Sequence, residues 1–231
     1  MFAGHVGAAL ALGSGARRVN AGALIFAALG LDLILWTLVL AGVEHAIVPA
    51  DFARRRYFVF DFPYSHGLAA SLGWSLLAAC ITGVATRSWQ TGRGRAAAIV
   101  AAAVFSHWML DALVHGTELP LLGPGSRLVG LGLWDHLPVE LAVEAAIAAI
   151  GLVLFLSGSG LSRLRTRGLA LIVLTVIAMT VVGMTVAPAP SDMRQPAIVS
   201  FVMISVLSAL GGWLGADDRP SDTAARNVRD R

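Results

Sequence analysis

Five stretches of this sequence set imidazole or carboxylate side chains among residues that are otherwise apolar. SHWMLDALVHG places His107, Asp111 and His115 four residues apart, and LWDHLPVELAVE does the same with His136, Glu140 and Glu144. Residues four apart lie on one face of an α-helix, one turn above another. Each set therefore predicts a stripe about 12 Å long, at a rise of ~1.5 Å per residue. Asp32 sits in the middle of GLDLILW, His66 opens the run that follows DFPYS, and His5 lies in the apolar opening GHVGAAL. Imidazole plus carboxylate is a donor set for zinc, iron or manganese, and zinc is the default where no thiolate is near. Cys80 is the only cysteine, which excludes a cysteine-built zinc site and an internal disulfide. Such a set could hold between one and three ions, roughly, with leftover carboxylates orienting the histidines. A bound metal would bring the pKa of a coordinated water to about 7 and polarise a carbonyl or phosphoryl oxygen.

Each residue also has a plainer reading. His107 with Asp111 is equally a buried hydrogen bond between helices. Glu140 follows Pro138 in a first helical turn, where an acid is favoured in any case. Asp135 and Asp61 precede apolar runs and read as helix caps. Glu44 and His45 stand at the end of a run beside a loop and read as solvated surface residues. Glu118 and His136 read as exposed groups or as partners that orient a ligand. Asp32 resists such a reading, because an acid near the middle of a membrane span costs about 2.5–3.5 kcal/mol. The coincidence of ligand types from several segments at one depth favours a metal site.

The elements that must position these residues are membrane helices. The chain is 57% hydrophobic and 13% charged, with mean hydropathy +0.76, whereas soluble domains carry about 25% charged residues. Apolar runs at 20–41, 64–86, 96–116, 138–157, 168–187 and 197–215 are each close to the ~20 residues that cross a bilayer core. Met1 to Leu12 is apolar as well, but Arg17 and Arg18 follow it instead of preceding it. It reads as a retained short helix that enters the membrane part way, not as a signal peptide. The fold expected is an all-α integral membrane protein, a short N-terminal helix plus about six transmembrane helices in one bundle over 1–215. Residues 1–156 carry the motifs, and 216–231 form a disordered tail.

All 17 basic residues are arginine, and they sit in loops and tail instead of on one continuous face. That argues against a nucleic-acid partner and for a topology role. Arg17, Arg18, Arg87, Arg93, Arg95, Arg163, Arg165 and Arg167, with Arg219, Arg226, Arg229 and Arg231, outnumber Arg54, Arg55, Arg56, Arg127 and Arg194. The larger set, and with it the C-terminus, is expected in the cytoplasm. Loops 42–63 and 117–135 then face outward, although the Arg54–Arg56 triplet runs against the trend. The short loop between the two stripes predicts antiparallel neighbouring helices with the stripes facing each other below the outer surface.

At these residues the chain resembles a bacterial family of membrane-bound metal-dependent hydrolases, the group that includes the LexA-binding inner-membrane-associated (YdjM-type) proteins. The resemblance runs from residue 1 to about 156, through GHVGAAL, LGLDLILW, YSHGL, SHWMLDALVHGTELPL, LGLWD and the acid Glu144. More distantly, the order His5, Asp32, His66, His107/Asp111, His136/Glu140 is similar to the ligand order of soluble zinc-dependent phospholipases C. The resemblance implies a multi-pass protein of the bacterial inner membrane, hydrolysing a lipid-linked or membrane-partitioned ester or phosphoester. It also favours Glu144 over His136 and Glu140 as a ligand. His5, Asp32, His66, His107, Asp111 and Glu144 are thus the expected metal site or its support. His115 and Glu140, one turn from proposed ligands, are candidates for proton transfer. Arg54, Arg55 and Arg56 could draw in an anionic head group or simply anchor the interface. The main alternative is a metal-ion or proton transporter using the same cluster, since such residues also line ion paths. A haem protein and an assembly partner without chemistry are further alternatives.

Overall fold

The computed structural model describes residues 1–15 and 18–216 and shows an all-α membrane bundle. Arg17 and the expected tail from 217 onward lie outside the described residues. Helix α1 (Phe2–Ser14) is too short to span, yet it occupies the interior. Ala3, Val6, Ala9 and Leu10 are at most 1% exposed, and the helix packs against α2 (Ala21–Ala28), α6 (Arg93–Val114), α7 (Leu137–Ser159) and α8 (Arg163–Thr185). Small residues admit it. A Cβ on Gly7 would come within 2.5 Å of the Ile147 carbonyl oxygen, and Gly151 faces Gly7 in the same crossing. Glycines let helix backbones approach closely inside a membrane.

The run expected as one span over 20–41 is instead two helices, α2 and α3 (Gly30–Leu40), bent by 45° at Leu29. Gly30 stands at the break, and glycine is the weakest helix former short of proline. Asn20 caps α2 by accepting the Gly22 N–H at 2.8 Å. A Cβ on Gly22 would collide with the Ser208 carbonyl oxygen of α9 (Arg194–Leu214), so α2 and α9 also touch through a glycine.

Among the described residues, five helices are long and apolar enough to cross a membrane: α5 (Leu68–Ala85), α6, α7 with the 3₁₀ turn before it, α8 and α9. The bent α2–α3 pair, taken as one broken span, brings the number to six. Their outer faces carry large apolar side chains, such as Leu76 on α5 and Leu171 on α8, 67% and 65% exposed. Such faces are stable only where the surrounding solvent is hydrocarbon.

The expected outward loops are ordered. Loop 42–63 forms a hairpin of β1 (His45–Ile47) and β2 (Val59–Asp61), with α4 (Phe52–Arg55) between the strands. Loop 117–135 forms a second, β3 (Leu119–Pro120) with β4 (Leu128–Val129). Phe60 stacks tilted on Phe62, their ring centroids 5.2 Å apart, and Tyr57 stacks on Trp134 at 5.0 Å. The two hairpins thereby place an aromatic cover over one end of the bundle.

Candidate metal centre

Under that cover, α3, α5 and α6 bring four expected ligands together. His107 and Asp111 lie one turn apart on α6, Asp32 opens α3, and His66 sits in the turn before α5. His66 Nε2 and His107 Nε2 are 3.0 Å apart. Asp111 Oδ2 lies 3.4 and 3.1 Å from them, and Asp32 Oδ1 lies 3.8 and 3.7 Å from them. Four donors held tetrahedrally at ~2.0–2.1 Å from a zinc ion are about 3.3–3.4 Å from one another. The His66, His107 and Asp111 atoms, 3.0–3.4 Å apart, come close to that spacing, and Asp32 Oδ1 stands wider at 3.7–3.8 Å but near enough to share an ion with His66 and His107.

Hydrogen bonding sharpens the fit. His107 Nδ1 lies 2.6 Å from the Ala28 carbonyl oxygen, which can only accept, so Nδ1 carries the proton. The Ser65 hydroxyl donates to Glu44 Oε2 at 2.6 Å and therefore accepts from His66 Nδ1 at 2.8 Å. Both neutral rings then turn a bare Nε2 lone pair toward the other. Two lone pairs at 3.0 Å repel unless a cation lies against both. A proton would satisfy that pair alone; the two carboxylate oxygens at comparable distance complete a donor set for a metal ion.

A second group overlaps the first. His5, His107 and Asp111 are close enough to share an ion. His5 stacks flat on His107 with ring centroids 3.8 Å apart, and its Nε2 is 3.2 Å from Asp111 Oδ1. Asp111 thus serves His5 with one oxygen and His66 and His107 with the other.

His115 belongs to the same place by a different route. Helix α6 ends at Val114 and His115 is extended, with ψ 148°, so the expected stripe stops being helical there. Its Nδ1 lies 2.6 Å from Glu118 Oε1, leaving Nε2 directed inward, 3.9 Å from Asp111 Oδ2. Of the two readings for Glu118, the orienting one applies; it also accepts the Phe60 N–H at 3.2 Å. A cavity of about 70 Å³, bordered by His5, Asp32, His66, Asp111, His115 and Trp134 among others, lies at the centre of this set.

The stripe on α7 behaves differently. Helix α1 lies between α6 and α7, so the two stripes are not face to face as expected. Glu144 is buried and its Oε2 accepts the Gly4 N–H at 3.0 Å, which ties α7 to the first turn of α1. It belongs to neither group of residues able to share an ion. Both Glu140 oxygens are enclosed without a hydrogen bond of ordinary geometry, lying against Glu144 and the Trp134 indole. Glu140 does not border the cavity. His136 is exposed and takes the N-cap position of α7.

Several plainer readings change. Glu44 is buried, not solvated, and accepts from the Tyr64 and Ser65 N–H groups at 2.8 Å as well as from the Ser65 hydroxyl. Three donors in a tight turn supply the hydration that burial removes. His45 is exposed as expected. Asp61 is not a cap but a residue of β2 paired opposite His45. Asp135 does not cap either; it accepts the Tyr57 hydroxyl at 2.7 Å. Burial, and then that bond, push the Tyr57 hydroxyl pKa up. Arg54 and Arg55 both engage Asp51, at 2.7 and 3.0 Å, and hold its carboxyl below the usual range. Arg56, in a left-handed conformation with φ 65°, reaches the Ala187 carbonyl oxygen at 3.3 Å.

Compared with family models, with curated proteins and with solved structures, the chain finds no match.

Proposed function

We propose that this chain is a membrane-embedded metal-dependent hydrolase, with zinc as its metal, acting on a lipid-linked or membrane-partitioned ester or phosphoester. The facing lone pairs of His66 and His107, with Asp111 and Asp32 oxygens within 3.8 Å of them, carry the reading. In this reading Asp32, His66, His107 and Asp111 hold the metal, and His5 holds Asp111 or a second ion. The metal supplies an acidified water and a Lewis acid for the scissile carbonyl or phosphoryl group. His115, with its Nδ1 proton on Glu118, takes the proton of the attacking water at Nε2, and Glu118 stabilises the imidazolium. Glu44 and Ser65 fix the ring of His66. Glu144 is a support of α1, and Glu140, which does not itself border the cavity, is not the first choice for proton transfer.

In this reading the arginine distribution favours a cavity beneath the outer leaflet and a cytoplasmic C-terminus, and the family resemblance implies a bacterial inner membrane. The resemblance to the membrane-bound hydrolase family over residues 1–156 supports the reaction class. Ion transport is the second reading. It needs polar groups through the full depth of the bundle, whereas the core one turn beyond His107 is Ala103, Val104, Val100, Leu24 and Leu10.

The test is turnover of a chromogenic phosphodiester and of a long-chain ester by the detergent-purified protein. Activity should vanish with a chelator, return with zinc, and be absent in Asp111→Asn. Turnover indifferent to chelator and to that substitution would remove the proposal. Zinc uptake by proteoliposomes that depends on Asp111 would establish transport in its place.

A further inference from the structure

Helix α5 leans on α6 and leaves a groove between itself and the α2–α3 pair, running from Leu31 and Leu33 beside Asp32 to Arg18 and Trp89 at the end of the bundle away from the metal centre. Its volume is about 620 Å³, inside the ~300–1,000 Å³ range of small-molecule sites. Its walls are apolar along most of their length, with Phe26, Ile34, Leu77 and Val104 among them. The groove changes character at one end. There Arg18, Val19 and Trp89 border it and also border a second, polar cavity of about 460 Å³, which adds Arg95 and Thr91. Among the described residues, no acidic side chain borders either space.

The two guanidinium groups are available. Arg18 spends one N–H on the Thr91 carbonyl oxygen at 3.1 Å and keeps the rest of its five donors. Arg95 lies against Gly15, where a Cβ would be 3.8 Å from its Nη2, and both arginines are exposed. A tryptophan at the mouth of an apolar groove suits the boundary between hydrocarbon and head groups. Hydrocarbon depth on one side and two arginines on the other, with no acidic partner among the described residues that border the space, define the missing molecule by its chemistry.

We propose that the groove between α2–α3 and α5 holds one hydrocarbon chain of an anionic phospholipid, whose phosphate is bound by Arg18 and Arg95. Arg95 stands about 24 Å along α6 from Asp111, sixteen residues at ~1.5 Å each, while the apolar walls run on to Leu31 and Leu33 beside Asp32; no bordering residue is shared between the groove and the metal cavity. A lipid so placed fastens α5 to the bundle.

Native mass spectrometry of the full chain, titrated with phosphatidylglycerol or phosphatidylcholine of identical acyl chains, tests this. One phosphatidylglycerol should be retained in preference to phosphatidylcholine. Arg18→Ala and Arg95→Ala should each weaken phosphatidylglycerol about tenfold or more, as expected when a hydrogen bond to a charged group is lost, and leave phosphatidylcholine unchanged. Arg93→Ala removes an equal charge from the same helical turn but borders neither space, and should bind like the parent. Ala23→Trp, filling the groove, should expel the lipid while the melting midpoint shows a folded chain. Equal retention of the two lipids, or an Arg93→Ala loss matching that of Arg95→Ala, would overturn the proposal. Displacement by soluble glycerol phosphate as effective as by the whole lipid would likewise overturn it.

Discussion

Asp111 is the residue on which the others depend, because its two oxygens serve His5 on one side and His66 and His107 on the other. Around it His66 and His107 are each oriented by a neighbouring group, Ser65 with Glu44 for His66 and the Ala28 carbonyl for His107. Partners of this kind hold a ring in one tautomer and usually govern metal affinity by about 10–100-fold. Ser65→Ala and Glu44→Gln should weaken metal binding by that factor in a chelator competition, with the helical content unchanged. Tyr57→Phe is expected to lower stability by about 1 kcal/mol, the worth of one hydrogen bond, with little effect on metal, since its hydroxyl donates to Asp135 and Tyr57 does not border the metal cavity. Tyr57 also has a pH signature. Its hydroxyl pKa is raised in the folded chain, chiefly by burial. Its contribution to stability is then complete below the ordinary tyrosine pKa of ~10 and is lost as pH rises beyond it. A melting midpoint that falls less steeply above that pH in Tyr57→Phe checks the sign.

Among elements, α1 does what its length does not suggest. Thirteen residues cannot cross a bilayer, yet α1 is the helix the others surround, and glycine is what lets it in. Gly7→Leu or Gly151→Leu should force α1 away from α7 and cost ~1–3 kcal/mol or more through overpacking. Metal content should fall together with the melting midpoint, because His5 rides on α1. This placement explains what the sequence could and could not reveal. His107 and Asp111 were legible because helical spacing and apolar surroundings are local properties. His5, Asp32 and His66 were legible because an ionisable group in an apolar run needs a partner. Glu44 was not, since its three donors come from a turn some twenty residues onward. The break at Leu29 was hidden by an unbroken apolar run, although Gly30 marks it. The separation of the α6 and α7 stripes was hidden because it depends on a third helix lying between them.

At the scale of the whole molecule, charge and polarity divide the bundle into two ends. One gathers imidazoles, carboxylates and aromatic rings under two hairpins, and the other gathers arginines at the mouth of an apolar groove. The six apolar spans were legible from run length alone, apart from the bend in the first. Between the ends the core is largely Ala, Leu and Val. A metal bound to the folded state adds stability by mass action, about 2.7 kcal/mol at a hundredfold excess over Kd. Removing the metal should therefore lower the melting midpoint of the parent and leave that of His107→Ala nearly unmoved.

X-ray absorption at the metal edge of detergent-purified protein tests the central claim most directly, because it reads the ligands themselves. The expected spectrum is that of at least one equivalent of zinc, bound by imidazole nitrogen and carboxylate oxygen at ~2.0–2.2 Å with no sulfur, and lost in His107→Ala. A protein that stays folded without transition metal, or whose metal and spectrum are the same in His107→Ala, would contradict the account.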